Sequence, residues 1–315
     1  MPRELPAPSL TGVGPVRRRL LLALLGLAVA GGAAGWVLSA PRPLPAETLA
    51  ALPEGDAGRG QAVFWAGGCA SCHAVPKAEG AARFRLAGGV RLTTPFGTFV
   101  APNISPDTAD GIGAWTGADF ANAMLRGVSP GGAPFYPAFP YASYARMSLA
   151  DVADLWAFLQ SLPAVAGRAP DHELGFPFNI RRGVGLWQRF FLSEAPVVAV
   201  DTADPRLVRG RYLVEGPGHC GECHTPRSIA GASDLGRWLA GGPAPEGAGT
   251  IPDLTPGGPL GKWSEADIAY YLESGFTPDF DSVGGSMADV QRNMAELPAT
   301  DREAIAAYLR VVPSR

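Results

Sequence analysis

Hydrophobic and polar positions divide the chain into one long apolar run followed by short amphipathic segments. From Leu20 to Leu38 the stretch LLLALLGLAVAGGAAGWVL holds no charged residue, which is close to the length that crosses a bilayer as a helix. Arg17, Arg18 and Arg19 precede it and, by the positive-inside tendency, stay cytoplasmic while everything after Pro41 is exported. The preferred reading is a cytoplasmic N-terminus over 1–19 and a retained transmembrane anchor over 20–40. A cleaved signal peptide with Gly32-Ala33-Ala34 at its junction is the rival. Residues 41–52, opening PRPLPAE, read as a stiff spacer.

Beyond the spacer the amphipathic pattern occurs twice. Trp115-Thr-Gly-Ala-Asp-Phe-Ala-Asn-Ala-Met-Leu-Arg-Gly127 aligns without a gap on Trp263-Ser-Glu-Ala-Asp-Ile-Ala-Tyr-Tyr-Leu-Glu-Ser-Gly275. Both predict helices started by Thr116 or Ser264 and stopped by glycine. Residues 148–159 and 299–309 predict a closing amphipathic helix in each copy, with an aromatic at Phe158 or Tyr308, and residues 56–65 and 204–213 predict an opening one. The expected fold class is therefore all-α: two tandem domains of short helices, over 53–163 and 201–315, behind the transmembrane helix. The connector over 164–200 contains LGFPFNIRRGVGLWQRFFL, where Trp187, Phe190, Phe191 and Leu192 need cover. It packs between the domains or, as a sharper reading, faces a partner subunit or the membrane surface.

Composition agrees with this outline. The chain has 315 residues, 47% of them hydrophobic and 17% charged, as in globular proteins. Its 41 glycines and 31 prolines favour short helices joined by much loop. With a formal net charge of −3 and no basic run after the N-terminus, the counterion release that drives nucleic-acid binding is missing, so nucleic acid is excluded as a partner.

All four cysteines lie in two matching motifs, Cys69-Ala-Ser-Cys72-His73 and Cys220-Gly-Glu-Cys223-His224. Cys-x-x-Cys-His is the attachment pattern of c-type haem: two thiols bond to the porphyrin edge and the next residue puts its imidazole under the iron. Three ligand groups within five residues cannot close a zinc tetrahedron alone, a thioredoxin-like pair needs a βαβ setting, and paired disulfides do not account for two copies inside a repeated domain. Two covalently bound haem c groups are expected, in class I cytochrome c-like domains, with His73 and His224 on the irons. The opposite ligand is expected in the loop before each closing helix, because His/Met ligation suits electron transfer. Met147 fills that place in the first copy, and Met124 reads as core. In the second copy Met287, preceded by glycines that allow close approach, is preferred over Met294.

Asn103 follows His73 by 30 residues and Asp253 follows His224 by 29; each is expected to orient a haem propionate or fix the loop around it. Trp115 and Trp263 could donate their indole N–H to propionates or serve as core aromatics. Arg83, Arg85, Arg91 and Arg227 are candidate propionate counter-charges against a reading as solvated surface. His172 stands in the connector as a surface or hydrogen-bonding histidine.

The stretches APNISPDTADGIGAW, GVSPGGAPFYPAFPYASYARMSLADV, FPFNIR, RGRYLVEGPGHCGECHTPR and GGSMADV resemble the cytochrome c subunits of membrane-bound periplasmic alcohol, aldehyde and gluconate dehydrogenases. In that family the subunit collects electrons from a quinoprotein or flavoprotein dehydrogenase and passes them to ubiquinone or a respiratory oxidase. The resemblance implies Cys69, Cys72, His73, Cys220, Cys223 and His224 as haem residues, Met147 and Met287 as distal ligands, and an inner-membrane location with the haem domains periplasmic. Many such subunits carry three haems and a C-terminal attachment segment, whereas this chain carries two motifs and its hydrophobic segment precedes them. A tethered dihaem carrier linking a dehydrogenase or other donor to quinone, a soluble cytochrome or a terminal oxidase is the leading expectation. A dihaem peroxidase or sulfur-compound oxidoreductase, which would need an open iron position, is the alternative.

Overall fold

The structure is a computed structural model, and residues 14–244 and 249–314 of it are described. Most of the expected cytoplasmic segment, residues 1–13, lies outside them. Helix α1 (Pro15–Leu38) begins on a proline, whose missing N–H costs nothing at a first turn, takes in the three arginines, and has no buried residue. The segment after it does not stand clear as a spacer. Residues 41–45 are extended, α2 (Ala46–Ala50) follows, and Leu44 is buried with its N–H donating to Asn122 Oδ1 at 2.7 Å.

Helix α3 (Ala57–Ala66) starts where Asp56 accepts from the Arg59 N–H, and α4 (Cys69–His73) follows a left-handed Gly68. The all-α expectation then meets a correction. Strands β1 (Arg91–Thr94) and β2 (Gly97–Val100) pair antiparallel, Arg91 opposite Val100 and Thr94 opposite Gly97. RLTT and GTFV are rich in β-branched and aromatic residues, and Gly97, at φ 124°, takes a backbone conformation that a β-branched residue would resist. Next come α5 (Gly117–Arg126), with a Thr116/Asp119 capping box and left-handed Gly127 at its end, α6 (Tyr141–Tyr144) and α7 (Leu149–Ser161), capped by Ser148.

The connector supplies α8 (Gly183–Phe191). The second half repeats the order with α9 (Pro205–Glu215), α10 (Gly221–His224), the two-residue strands β3 (Gly242–Pro243) and β4 (Thr250–Ile251), α11 (Glu265–Ser274), α12 (Met287–Met294) and α13 (Ala299–Val311). The protein is thus largely helical with a small sheet content.

Opening and closing helices cross in the same way in both halves, α3 on α7 and α9 on α13. The crossings turn on Gly60 and Gly210. A Cβ at Gly60 would stand 2.0 Å from the Asp154 carbonyl oxygen and 2.8 Å from Phe158 Cβ; one at Gly210 would stand 1.9 Å from the Ala304 oxygen and 2.8 Å from Tyr308 Cβ. Only glycine lets the backbones meet there. An ion pair accompanies each crossing, on different turns of the closing helix. Arg59 forks onto buried Asp154 at 2.7 and 2.8 Å, whereas Arg209 forks onto Asp301, the counterpart of Asp151, at 2.9 and 2.7 Å. One hydrophobic core runs through both halves, from Phe64, Leu86 and Leu159 to Leu213, Leu239 and Tyr308.

The connector touches both halves. Gln188 donates to the Arg126 and Gly127 carbonyls at 3.1 Å, and Trp187 Nε1 donates to the Ala230 carbonyl at 2.9 Å. Phe190 and Phe191, which the sequence suggested would need cover, are exposed.

Candidate functional site

In each half a short helix carries Cys-x-x-Cys-His, and the chain returns to hold its histidine. Gly88 N–H donates to the His73 carbonyl and Gly241 N–H to that of His224, both at 2.7 Å. His73 Nδ1 lies 2.8 Å from the Pro102 carbonyl oxygen and His224 Nδ1 2.9 Å from that of Pro252. A carbonyl only accepts, so Nδ1 carries the proton and the Nε2 lone pair is left for a metal. Burial lowers the pKa of both imidazoles against the raising effect of those carbonyls, which favours the neutral, ligating form.

Burial pushes the Cys69 and Cys220 thiols up to about 12, with Cys72 and Cys223 adding to the rise. Such thiols are not poised as the thiolates of a redox pair. Cys69 and Met147 line one small cavity with Val63, Gly67, Met124, Tyr144, Leu155 and Pro217. Two thiols, a neutral imidazole with its far nitrogen engaged and a thioether form the donor set of a c-type haem, so the residues fit that group. A separate groove of about 640 Å³ between Arg146, Asp151, Arg209 and Tyr212 contains no cysteine.

In the second half, Met287 opens α12 half-buried against the core and Met294 closes it at 4% exposure. The two glycine crossings set closing-helix residues 150 apart in register, Asp154 with Ala304 and Phe158 with Tyr308. On that register Met147 coincides with Leu297, and Met294 with Tyr144.

The surrounding residues are held by protein partners. Asn103 donates to the Val165 and Gly167 carbonyls at 2.7 and 3.0 Å and accepts from Ser105 N–H, while Asp253 accepts from Thr255 N–H at 2.7 Å. Both therefore fix the loop whose preceding proline carbonyl holds the histidine. Trp115 stacks on Phe135, and Trp263 meets Tyr271 edge-on. Arg83 lies 4.0 Å over the Trp65 ring and bonds Glu296 and Asn293, Arg91 bonds Glu173, and Arg227 bonds Glu222 and the Gly231 carbonyl. Arg85 is exposed. His172 Nδ1 accepts from Val100 N–H at 3.1 Å between Phe99 and Tyr136.

The two motifs meet directly. His219, the residue before Cys220, places Nε2 at 3.2 Å from the carbonyl oxygen of Gly67 and meets the Tyr144 ring edge-on at 5.7 Å. Asn293 donates to Ser71, inside the first motif, at 2.7 Å, and Glu222, inside the second, accepts from Ser143 at 2.7 Å.

Sequence reasoning missed a buried cluster beneath the second motif. Glu215, 2% exposed, accepts from Val197 N–H, Val198 N–H and the Tyr308 hydroxyl at 2.7, 2.9 and 2.6 Å. Trp238 donates to that hydroxyl and lies against Gly221, where a Cβ would come within 2.1 Å of its ring. The glycine in CGECH was the available signal, since any side chain there would strike the indole.

Comparison with known proteins follows the same lines. Residues 57–163 match the protein family described as Cytochrome c. The chain is 56% identical over 297 residues to a "Diheme cytochrome c-type" protein of Cereibacter sphaeroides, covering 94% of this chain and 99% of that one. It is 37% identical to the cytochrome c subunit of the quinone alcohol dehydrogenase of Gluconobacter oxydans, over 89% of this chain and 60% of that one. It is 38% identical to the cytochrome c subunit of the gluconate 2-dehydrogenase of Pantoea cypripedii, over 80% and 58%. The chain therefore spans nearly all of the first relative and less than two thirds of the other two.

Proposed function

We propose, from the premise that this chain belongs to the dihaem c-type cytochromes, that it is a membrane-tethered electron carrier rather than an enzyme. It takes electrons from a periplasmic dehydrogenase or a comparable donor and delivers them to quinone, a soluble cytochrome or a terminal oxidase. The haem domains are 53–163 and 201–315, joined by 164–200, on the periplasmic side of an inner membrane that α1 crosses once. The kinship with dehydrogenase cytochrome subunits supports a dehydrogenase as donor.

When bound, haem c supplies a one-electron iron couple at each motif. Cys69 with Cys72 and Cys220 with Cys223 hold it covalently; His73 and His224 present Nε2, aimed by the Pro102 and Pro252 carbonyls. Met147, sharing a cavity with Cys69, is the distal ligand in the first domain. In the second domain Met287 takes that role. Gly284 and Gly285 just before Met287, which permit a tight approach, support it over Met294, which closes α12 at 4% exposure. Val63, Met124 and Leu155 wall the first site with apolar surface, which favours His/Met ligation there.

The observation that carries the proposal is the contact of Gly67, just ahead of the first motif, with His219, just ahead of the second, beside Ser71 of the first motif held by Asn293 of α12. Fixing the two attachment segments against one another would hold the two cofactors at a constant separation, as a carrier requires. The test is the spectrum and ligand reactivity of the purified full chain. Two low-spin haems, each with the near-infrared Met-to-iron band and neither binding carbon monoxide, are expected. A high-spin haem with peroxide turnover would overturn the carrier.

A further inference from the structure

The end of α1 is locked onto the connector. Arg182 donates through Nε to Ser39 Oγ at 2.9 Å and through Nη2 to the Trp36 carbonyl at 2.8 Å, and its guanidinium lies 4.2 Å over the Trp36 ring. Gly185 packs against the Ser39 carbonyl so closely that a Cβ would stand 2.0 Å away, and Ser39 is 3% exposed. Helix α8 therefore cannot be distant from whatever α1 is embedded in.

Facing outward from this joint is an unusual amount of apolar surface. Phe176 is 82% exposed and Phe190 74%, with Phe178, Ile180 and Phe191 also exposed, while Val184 and Gln188 on the other face of α8 are buried. Residues 176–192 contain three arginines, at 181, 182 and 189, and no acidic residue. Helix α1, at 24 residues, is about 36 Å long. It has the mean hydropathy of a membrane span and no buried surface. Trp36, near its exit, has the residue type and position of an interfacial anchor.

We propose that residues 176–192 form an interfacial element lying on the bilayer, with phenylalanines among the outer acyl chains and the exposed Arg189 among anionic phospholipid headgroups. The inference rests on the reading of α1 as a membrane anchor. Its occupant follows from continuity: the apolar patch adjoins the exit of α1, and its charge is of one sign, complementary to acidic lipid. Two attachments, a span and a surface patch, fix the tilt of the haem domains where one span would let them swing. Electron transfer with a membrane-bound partner then occurs from one constant pose.

The test uses the full chain, with p-benzoylphenylalanine in place of Phe176, Phe190 or, as control, exposed Tyr270. It is reconstituted in vesicles of phosphatidylethanolamine and alkyne-tagged phosphatidylglycerol. Illumination is expected to give several-fold more lipid adduct at positions 176 and 190 than at 270. Adduct equal to that at 270, or crosslinks to protein alone, in a chain that co-floats with the vesicles overturns the proposal by itself. A chain that does not co-float overturns the anchor reading and the proposal together.

Discussion

His219 Nε2 sits 3.2 Å from the Gly67 carbonyl oxygen, joining the residue before one attachment motif to the chain just ahead of the other. Because the carbonyl can only accept, the imidazole donates. Burial lowers its pKa, against the raising effects of Glu222 and the Gly67 bond. Below the ordinary histidine value of about 6.5 the unfolded chain takes a proton that the folded chain refuses, so stability is present above that pH and lost as pH falls through it. His219→Gln should flatten the acid side of a plot of denaturant midpoint against pH. His172, lowered by burial and Arg181, has the same sign and leaves a residual slope.

Asp154 shows the carboxylate case. Burial pushes it up, but the hydrogen bonds from Arg59 and the Asp56 N–H outweigh this and hold it below the usual value. Its stabilisation is present above about pH 4 and lost as pH falls through the lowered value. Asp154→Ala leaves the part-buried Asp56 N–H without its acceptor, while the exposed Arg59 guanidinium is solvated, and should cost about 1–2 kcal/mol, read from urea unfolding at neutral pH.

The glycine crossings set a sharper expectation. Gly60→Ala or Gly210→Ala drives a methyl into backbone and should destabilise by about 1–3 kcal/mol. Gly58→Ala, on the same helix as Gly60, meets only the Asp56 side chain and should be neutral or slightly stabilising. Equal losses at positions 58 and 60 in thermal melts would refute the close-approach account.

Methionine ligation separates by spectroscopy. Met147→Leu and Met287→Leu should each remove about half of the near-infrared Met-to-iron band and lower one of the two potentials. Met294→Leu replaces a buried side chain of similar volume, should cost under about 1.5 kcal/mol, and should leave the band intact. Loss of the band in Met294→Leu would reverse the assignment.

What the sequence made legible is what is local. Helix caps such as Thr116/Asp119 and Ser264/Asp267 occupy adjacent turns, so the four-residue pattern that codes them can be read directly. The attachment motifs and their repetition are legible for the same reason. Contacts such as Ser71 with Asn293 join residues 222 positions apart, and nothing in either neighbourhood specifies the other. The arginines illustrate the limit: by type Arg83 and Arg91 suited either a propionate or solvated surface, and their carboxylate partners, Glu296 and Glu173, are chosen by tertiary placement. Glu215 was hidden because a single acid at a helix end has no period to betray it. The β1–β2 pair escaped because four-residue strands lie within the length of an ordinary loop.

The shifted ion pair gives the duplicated chain a polarity. With Arg59 on Asp154, Asp151 is left to accept the Tyr212 hydroxyl from the other half at 2.5 Å. The counterpart acid in the second half, Asp301, is already taken by Arg209. The halves are therefore a socket and a plug: two copies of the second half would have no open acceptor to offer each other.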